Sequence, residues 1–194
     1  MEELTRAEME DILFAHEKAE LELDVDATMA TLVPNPHFEI CFMGLAVDGW
    51  EPVREMYTRM LVPGSGERNI QAVARVMAAD KTALIREAHV SFDDDDGKRV
   101  TGQYIVTMEF DPVLKKIRGE RMYGDPLFSK MMTKIVGADF INVPGVTKNS
   151  DNAPIIDVHD AFEVAAARGV TINRPSLLNV NSFRNRKDKS NDED

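Results

Sequence analysis

VTGQYIVTMEFDPVLKKIRGERMYGDP, residues 100–126, alternates polar and apolar residues in two runs separated by Asp111-Pro112. A period of two is that of a strand with one buried face, and Asp-Pro is turn chemistry. The stretch therefore predicts a hairpin of strands Val100–Phe110 and Leu114–Gly124. Its end changes character, because Asp125 before Pro126 is an N-cap followed by proline at the first helical position. A helix to about Val136 follows.

Working upstream, Ile70–Met77 and Thr82–Phe92 keep the period of two, joined by Ala79-Asp80-Lys81 and by the acidic loop Asp93 to Lys98. The four runs predict an antiparallel meander. Before them the period lengthens. From Thr5 to about Leu23, Met9, Ile12, Leu13, His16 and Leu23 form one helical stripe. Asp24 then caps a short helix, Val25–Leu32, that Pro34 and Pro36 end, and His37–Phe42 alternates as a strand. In that strand Phe38, Ile40 and Phe42 share one face, with His37, Glu39 and Cys41 on the other. Gly49 opens a further helix in which Trp50, Val53, Met56, Tyr57, Met60 and Leu61 recur at helical spacing, and Val62 to Arg68 forms the loop after it. Helices first and strands later is an α+β signature.

Beyond Gly137 the pattern weakens. The expected organisation is one domain over residues 1–137 and an extension over 138–194, with a short helix at 158–168 and a polar tail from about 181. Because DFINVPGV (139–146) carries apolar residues that need cover, the extension after Gly137 is expected to fold over the mouth of a pocket as a lid, the alternative being that it wraps a partner subunit.

The 194 residues are 43% hydrophobic, enough for one sizeable core. With 23 Lys+Arg against 34 Asp+Glu the formal net charge is −11, which opposes binding to nucleic acid. No apolar run reaches the roughly 18–20 residues of a membrane span, and no signal-peptide core is visible, so a cytoplasmic protein is expected. The single cysteine excludes an internal disulfide and a cysteine-based zinc cluster, and the four histidines lack metal-ligand spacing. The run Asp93–Asp96 before Gly97 lacks the alternating ligands of a calcium loop and reads as a solvated hairpin tip. Neither metal nor cofactor is expected.

Three stretches carry a family resemblance: HEKAELELDVDATMATL (16–32), MGLAVDGWEPVREMYTRML (43–61) and the hairpin quoted above. Together they resemble the nuclear-transport-factor-2-like superfamily over about residues 5–137, most closely its SnoaL-like branch, which includes polyketide cyclases. The resemblance implies a cone: a curved mixed or antiparallel sheet wrapped around N-terminal helices. It leaves the reaction open, since the superfamily includes isomerases, dehydratases, epoxide hydrolases, cyclases and non-catalytic modules. The activity it implies is acid/base chemistry on a hydrophobic carbonyl compound without metal or redox cofactor. The alternative is a ligand-binding or dimerising module, and in either case a homodimer.

Asp125, in YGDP, resembles the position of an acid/base aspartate in that branch, while the bare residues read it as a helix cap. His16 lies on the apolar stripe of the first helix, where imidazole suits proton transfer but is more often a hydrogen-bonded core residue. Arg121 and Tyr123 share strand parity with Asp125, so the three would face one side if no bulge intervened, with Arg118, Glu120 and Met122 on the other; alternation does not say which side is concave, and a solvated salt-bridge ladder at a dimer interface is the alternative. Ile40 stands where ketosteroid isomerases carry their base, which disfavours that design. Cys41 reads as a small strand hydrophobe. The expected pocket lining is Phe38, Ile40, Trp50, Met56, Tyr57, Met60, Tyr104, Met108 and Phe110, part of a soft wall in a chain with eleven methionines.

Overall fold

Each helix begins where a side chain can satisfy free backbone N–H groups. α1 (Arg6–Leu21) starts at a capping box, with Thr5 accepting from the Glu8 amide and the Glu8 carboxylate accepting from the Thr5 amide. α2 (Val25–Ala30) is capped by Asp24 and α4 (Pro126–Val136) by Asp125, whereas α3 (Trp50–Leu61) follows Gly49. The structure, a computed structural model, describes residues 3–61, 70–149 and 165–171. No helix among the described residues is long and apolar enough to cross a membrane.

The strands are β1 (Leu32–Ile40), β2 (Leu45–Asp48), β3 (Gln71–Asp80), β4 (Ala83–Asp93), β5 (Arg99–Asp111), β6 (Lys116–Gly124) and β7 (Val146–Lys148). They form one curved, unclosed mixed sheet in the order β3-β4-β5-β6-β1-β2-β7, in which only the β1–β6 pair is parallel. The α+β architecture and the meander β3–β6 match the sequence reading.

Three local expectations are corrected. Pro34 and Pro36 do not stop a helix that reaches Leu32; α2 ends at Ala30 and β1 runs through both prolines. They are tolerated because the β1–β6 pairing is interrupted between Leu32 and His37, where no ladder N–H is needed. Phe42 is not in the strand but in a turn, Cys41–Met43, closed by left-handed Gly44. Leu23 leaves the buried stripe of α1: the helix has ended, its φ is +58°, and it is 55% exposed.

The chain does not leave the domain at Gly137. A 3-10 turn, Ala138–Asn142, leads into β7, which pairs antiparallel with β2, so the first compact unit spans Met1–Ala153. The apolar residues of 139–146 pack with the core of this unit, while residues 150–164 and 172–194 of the extension lie outside the described residues. Phe140 is fully buried beneath the guanidinium carbon of Arg59, 5.3 Å from its ring centroid, and Arg59 also donates to the Val136 carbonyl at 2.8 Å. The apolar residues of that segment find cover at the β2 edge. A second unit, Pro154–Asp194, holds a helical turn at residues 165–167; the rest of the helix expected at 158–168 and the tail from 181 lie outside the described residues.

Register organises the concave face into rows. Leu84, Met108, Glu120 and Phe38 lie across from one another; the adjacent row is Met77, Arg86, Val106, Met122 and Ile40; then come Arg75, Ala88, Tyr104 and Gly124. Phe110 and Ile117 close the far end, both essentially inaccessible. A register shift between Glu109 and Phe110 makes β6 change parity: Ile117 points inward, and after Gly119 so do Glu120 and Met122. Gly119 is obligatory at this point, since a Cβ there would lie 1.7 Å from the His37 carbonyl oxygen across the β1–β6 pair.

Candidate functional site

The helices leave the sheet's concavity partly unfilled, giving a cavity of about 560 Å³. Its wall is apolar towards α3 and α4, through Met56, Met60, Met131 and Phe128, and polar where α1 crosses β4 and β6. Gly102 and Gly124 let Phe128 settle on the sheet, where its ring stacks on Tyr104 at 4.6 Å and 15°.

His16 is the hub of the polar wall. It is 1% exposed, and its Nδ1 lies 2.6 Å from the Thr31 hydroxyl. That hydroxyl donates to the Thr28 carbonyl at 2.6 Å, so it accepts from His16, and the proton sits on Nδ1. Nε2 then faces three oxygens: the Tyr57 hydroxyl at 3.0 Å, Glu20 Oε1 at 3.3 Å and Glu120 Oε1 at 4.0 Å. Glu20 is reached simply because it lies one helical turn after His16 on α1.

Burial, the largest influence on His16, disfavours its charged form, yet Glu20 and Glu120 outweigh it and the imidazole's pKa is raised. Burial also raises Glu120, reinforced by Glu20 and opposed by His16 and Arg86. Tyr57 is held well above its ordinary value by burial and by the same two carboxylates, so its hydroxyl remains a donor to neutral His16. Neutral phenol, imidazole and two carboxyl groups thus converge on the cavity wall, where a proton can be held by any of several neighbours.

Next to this cluster, Glu17 is shared by two arginines. It accepts from Arg75 at 2.9 and 3.3 Å and pairs closely with Arg86 Nη1. Arg86 is 9% exposed.

Of the residues expected to carry chemistry, only His16 lies on the cavity wall. Asp125 does not line it: Oδ1 accepts from the Phe128 amide at 2.8 Å and Oδ2 from the Gln103 amide at 3.1 Å. Asp125→Ala should therefore lower stability by about 1–2 kcal/mol through loss of the cap, measured by chemical denaturation, without changing affinity for a compound held in the cavity.

Arg121 and Tyr123 face away from the cavity, because the irregularity at Gly119 puts Glu120 and Met122 inside instead. Arg121 pairs with Glu109 at 2.7 Å on the outer face, and Tyr123 is 47% exposed there. Cys41 lies near the same face with its thiol pushed up by burial and by Glu39, the opposite of an activated nucleophile.

Four of the nine expected lining residues do line the cavity: Met56, Tyr57, Met60 and Tyr104. Phe38, Ile40, Met108 and Phe110 are instead buried within the packed core, and Trp50 packs against the same core from the start of α3. The sequence reading missed Glu20, Glu120, Arg86, Glu17 and Arg75. Glu20 was signalled by its i, i+4 spacing from His16; Glu120, Arg86 and Arg75 depend on strand register, and Glu17 on how α1 crosses the sheet.

No family model matches the sequence, and no curated protein does. Solved structures do resemble it. A candidate polyketide cyclase from Xanthomonas campestris pv. campestris superposes with a TM-score of 0.51 at 16% identity, covering 67% of this chain and 98% of its own. A nuclear-transport-factor-2-like protein from Burkholderia xenovorans LB400 gives 0.50 at 12%, covering 66% and 98%. TerC, co-crystallised with polyporic acid, gives 0.51 at 10%, again covering 66% and 98%. At these identities the likeness is one of fold. The curved mixed sheet, the helices in its hollow and these superpositions together give the chain a nuclear-transport-factor-2-like fold of the SnoaL type.

Proposed function

We propose that the cavity takes up a hydrophobic carbonyl compound and isomerises it by acid/base chemistry, with Glu120 as the proton-transfer group. The observation that carries this reading is the placement of Glu120: nine-tenths buried, on the cavity wall, with His16 Nε2 at a loose 4.0 Å. Its carboxyl group is thus available to a substrate, and its raised pKa makes it a better base than an exposed glutamate.

The ionised carboxylate would take a proton from the carbon next to the carbonyl. The C–H bond breaks, an O–H bond forms on Glu120, and the electron pair moves onto the carbonyl oxygen as an enolate. In ring closure the enolate carbon then bonds to a second carbonyl of the same molecule, and Glu120 returns the proton to that oxygen. Reactant and product are isomers, so the atoms balance without a co-substrate. His16 and Glu20 act behind Glu120 as positioning residues, setting its charge. The polyketide cyclase among the structural neighbours, and the polyporic acid bound by TerC, support a small-molecule reading of this fold.

A second reading rests on Asp125, which is fully committed to its cap: the domain binds the compound without converting it. One experiment separates the two. Native mass spectrometry of the protein purified from its own host identifies the bound compound, and incubation with fresh compound follows. A new isomer of unchanged mass supports catalysis by this site; return of the compound unaltered supports the binding module.

A further inference from the structure

The polar wall contains a donor with nothing to donate to. Arg86 Nε is buried and has no hydrogen-bond partner among the described residues, although Nη1 of the same guanidinium pairs with Glu17. Buried N–H groups are rarely left unpaired, and one on a cavity wall marks where an acceptor of a bound molecule belongs. Arg86 lies on β4 in the row next to that of Glu120, towards Tyr104, whose ring centroid is 5.4 Å from the guanidinium carbon.

The charge of Arg86 is already answered. Glu17 pairs with it and is itself held by Arg75 through two contacts. Glu20 and Glu120 line the same cavity, so a ligand carboxylate would enter beside three acidic side chains. A neutral carbonyl oxygen would accept from Nε–H without adding charge.

We infer that Arg86 Nε–H is the carbonyl-binding donor of this cavity, with Glu17 as its positioning residue, and that the site selects neutral carbonyl compounds over carboxylates. This rests on the proposed function, since it names the group that would hold the carbonyl while Glu120 moves the proton. A donor at that oxygen would also stabilise the enolate as it forms.

The test uses two fluorescent probes on the full chain: the neutral ketone propionyl-dimethylaminonaphthalene, whose emission moves to the red when its carbonyl accepts a hydrogen bond, and the matching dimethylamino-naphthoate. The ketone is expected to bind at least about tenfold more tightly than the naphthoate, a ratio within reach of one hydrogen bond to a charged donor. Arg86→Lys keeps a charge for Glu17 but has no Nε–H, and Arg86→Met leaves Glu17 to Arg75. In each, ketone affinity should fall about tenfold and the bound emission should move to the blue. Thermal melts establish which variants are folded, and either suffices. Met131→Trp, which fills the cavity, should abolish ketone binding.

If both Arg86 variants bind the ketone as the parent does, with unchanged emission, while Met131→Trp still blocks it, the role of Arg86 is overturned and the cavity reading stands. Naphthoate binding as tight as the ketone's overturns the selectivity. If the ketone does not bind, or binds regardless of Met131→Trp, the small-molecule cavity itself fails and the inference falls with it.

Discussion

Glu120→Gln is expected to reduce kcat by about 10²–10⁴-fold, the usual contribution of a positioned acid/base group. Gln has the shape of Glu but cannot accept a proton at the required pKa, so turnover falls while compound still binds. Folding should not suffer. Glu120 is 9% exposed, so its charge is largely withdrawn from water, and replacing a buried charge with a neutral isostere is often neutral or stabilising. The parent's activity should fail on the acid side, as pH drops through the folded-state pKa of Glu120, because the base must be ionised. That limb should sit above the ordinary glutamate value of 4.5 and disappear in the variant. A variant with parental kcat would remove Glu120 from the chemistry.

Gly119→Ala carries the largest expected effect on stability, a loss of about 3–5 kcal/mol. The added Cβ would lie 1.7 Å from the His37 carbonyl oxygen and 2.8 Å from its carbon, and both are backbone atoms in a strand pair. Neither can rotate away, so β1 and β6 must separate. Gly124 makes a useful contrast: a Cβ there would lie 2.5 Å from a Phe128 ring carbon, which side-chain rotation can relieve. Chemical denaturation of the two alanine variants should rank Gly119 well above Gly124. Because the parity of β6 changes at this glycine, a loss below about 1 kcal/mol would mean that β1 and β6 lie farther apart, and would undermine the inward placement of Glu120.

What was legible in the sequence follows from which signals are local. Strand alternation in residues 100–124, the apolar stripe from Met9 to His16 and the caps at Asp24 and Asp125 depend only on near neighbours, and they located the meander and the starts of α1, α2 and α4 to within a residue or two. Pro34 and Pro36 misled because proline is forbidden only where a ladder N–H is required, and the pairing gap that admits them is a property of β1 and β6 together. Arg121 and Tyr123 keep their common parity, since β6 pairs without interruption from Gly119 to Gly124, but which parity faces the hollow is set by one irregularity upstream, opposite Glu109 and Phe110, invisible to a count of odd and even positions.

The candidate site shows the same division. His16 was found because a histidine on an apolar stripe stands out, and Glu20 sits one turn away. Glu17, Arg75 and Arg86 come from α1, β3 and β4, and only the crossing of that helix over the sheet brings them together. Phe38, Met108 and Phe110 are as apolar as Met56 and Met60, so hydrophobicity could not tell the packed core from the cavity wall.

Titration of the His16 imidazole by nitrogen-15 NMR, in the parent and in Glu120→Gln, tests most directly whether imidazole and carboxylates share one wall of the cup. The expected result is a neutral form protonated on Nδ1 and a midpoint above the ordinary histidine value of 6.5, moving down in the variant as one of the carboxylates favouring the cation is removed. A midpoint below 6.5 that Glu120→Gln leaves in place would show that these groups do not meet, and would contradict the account.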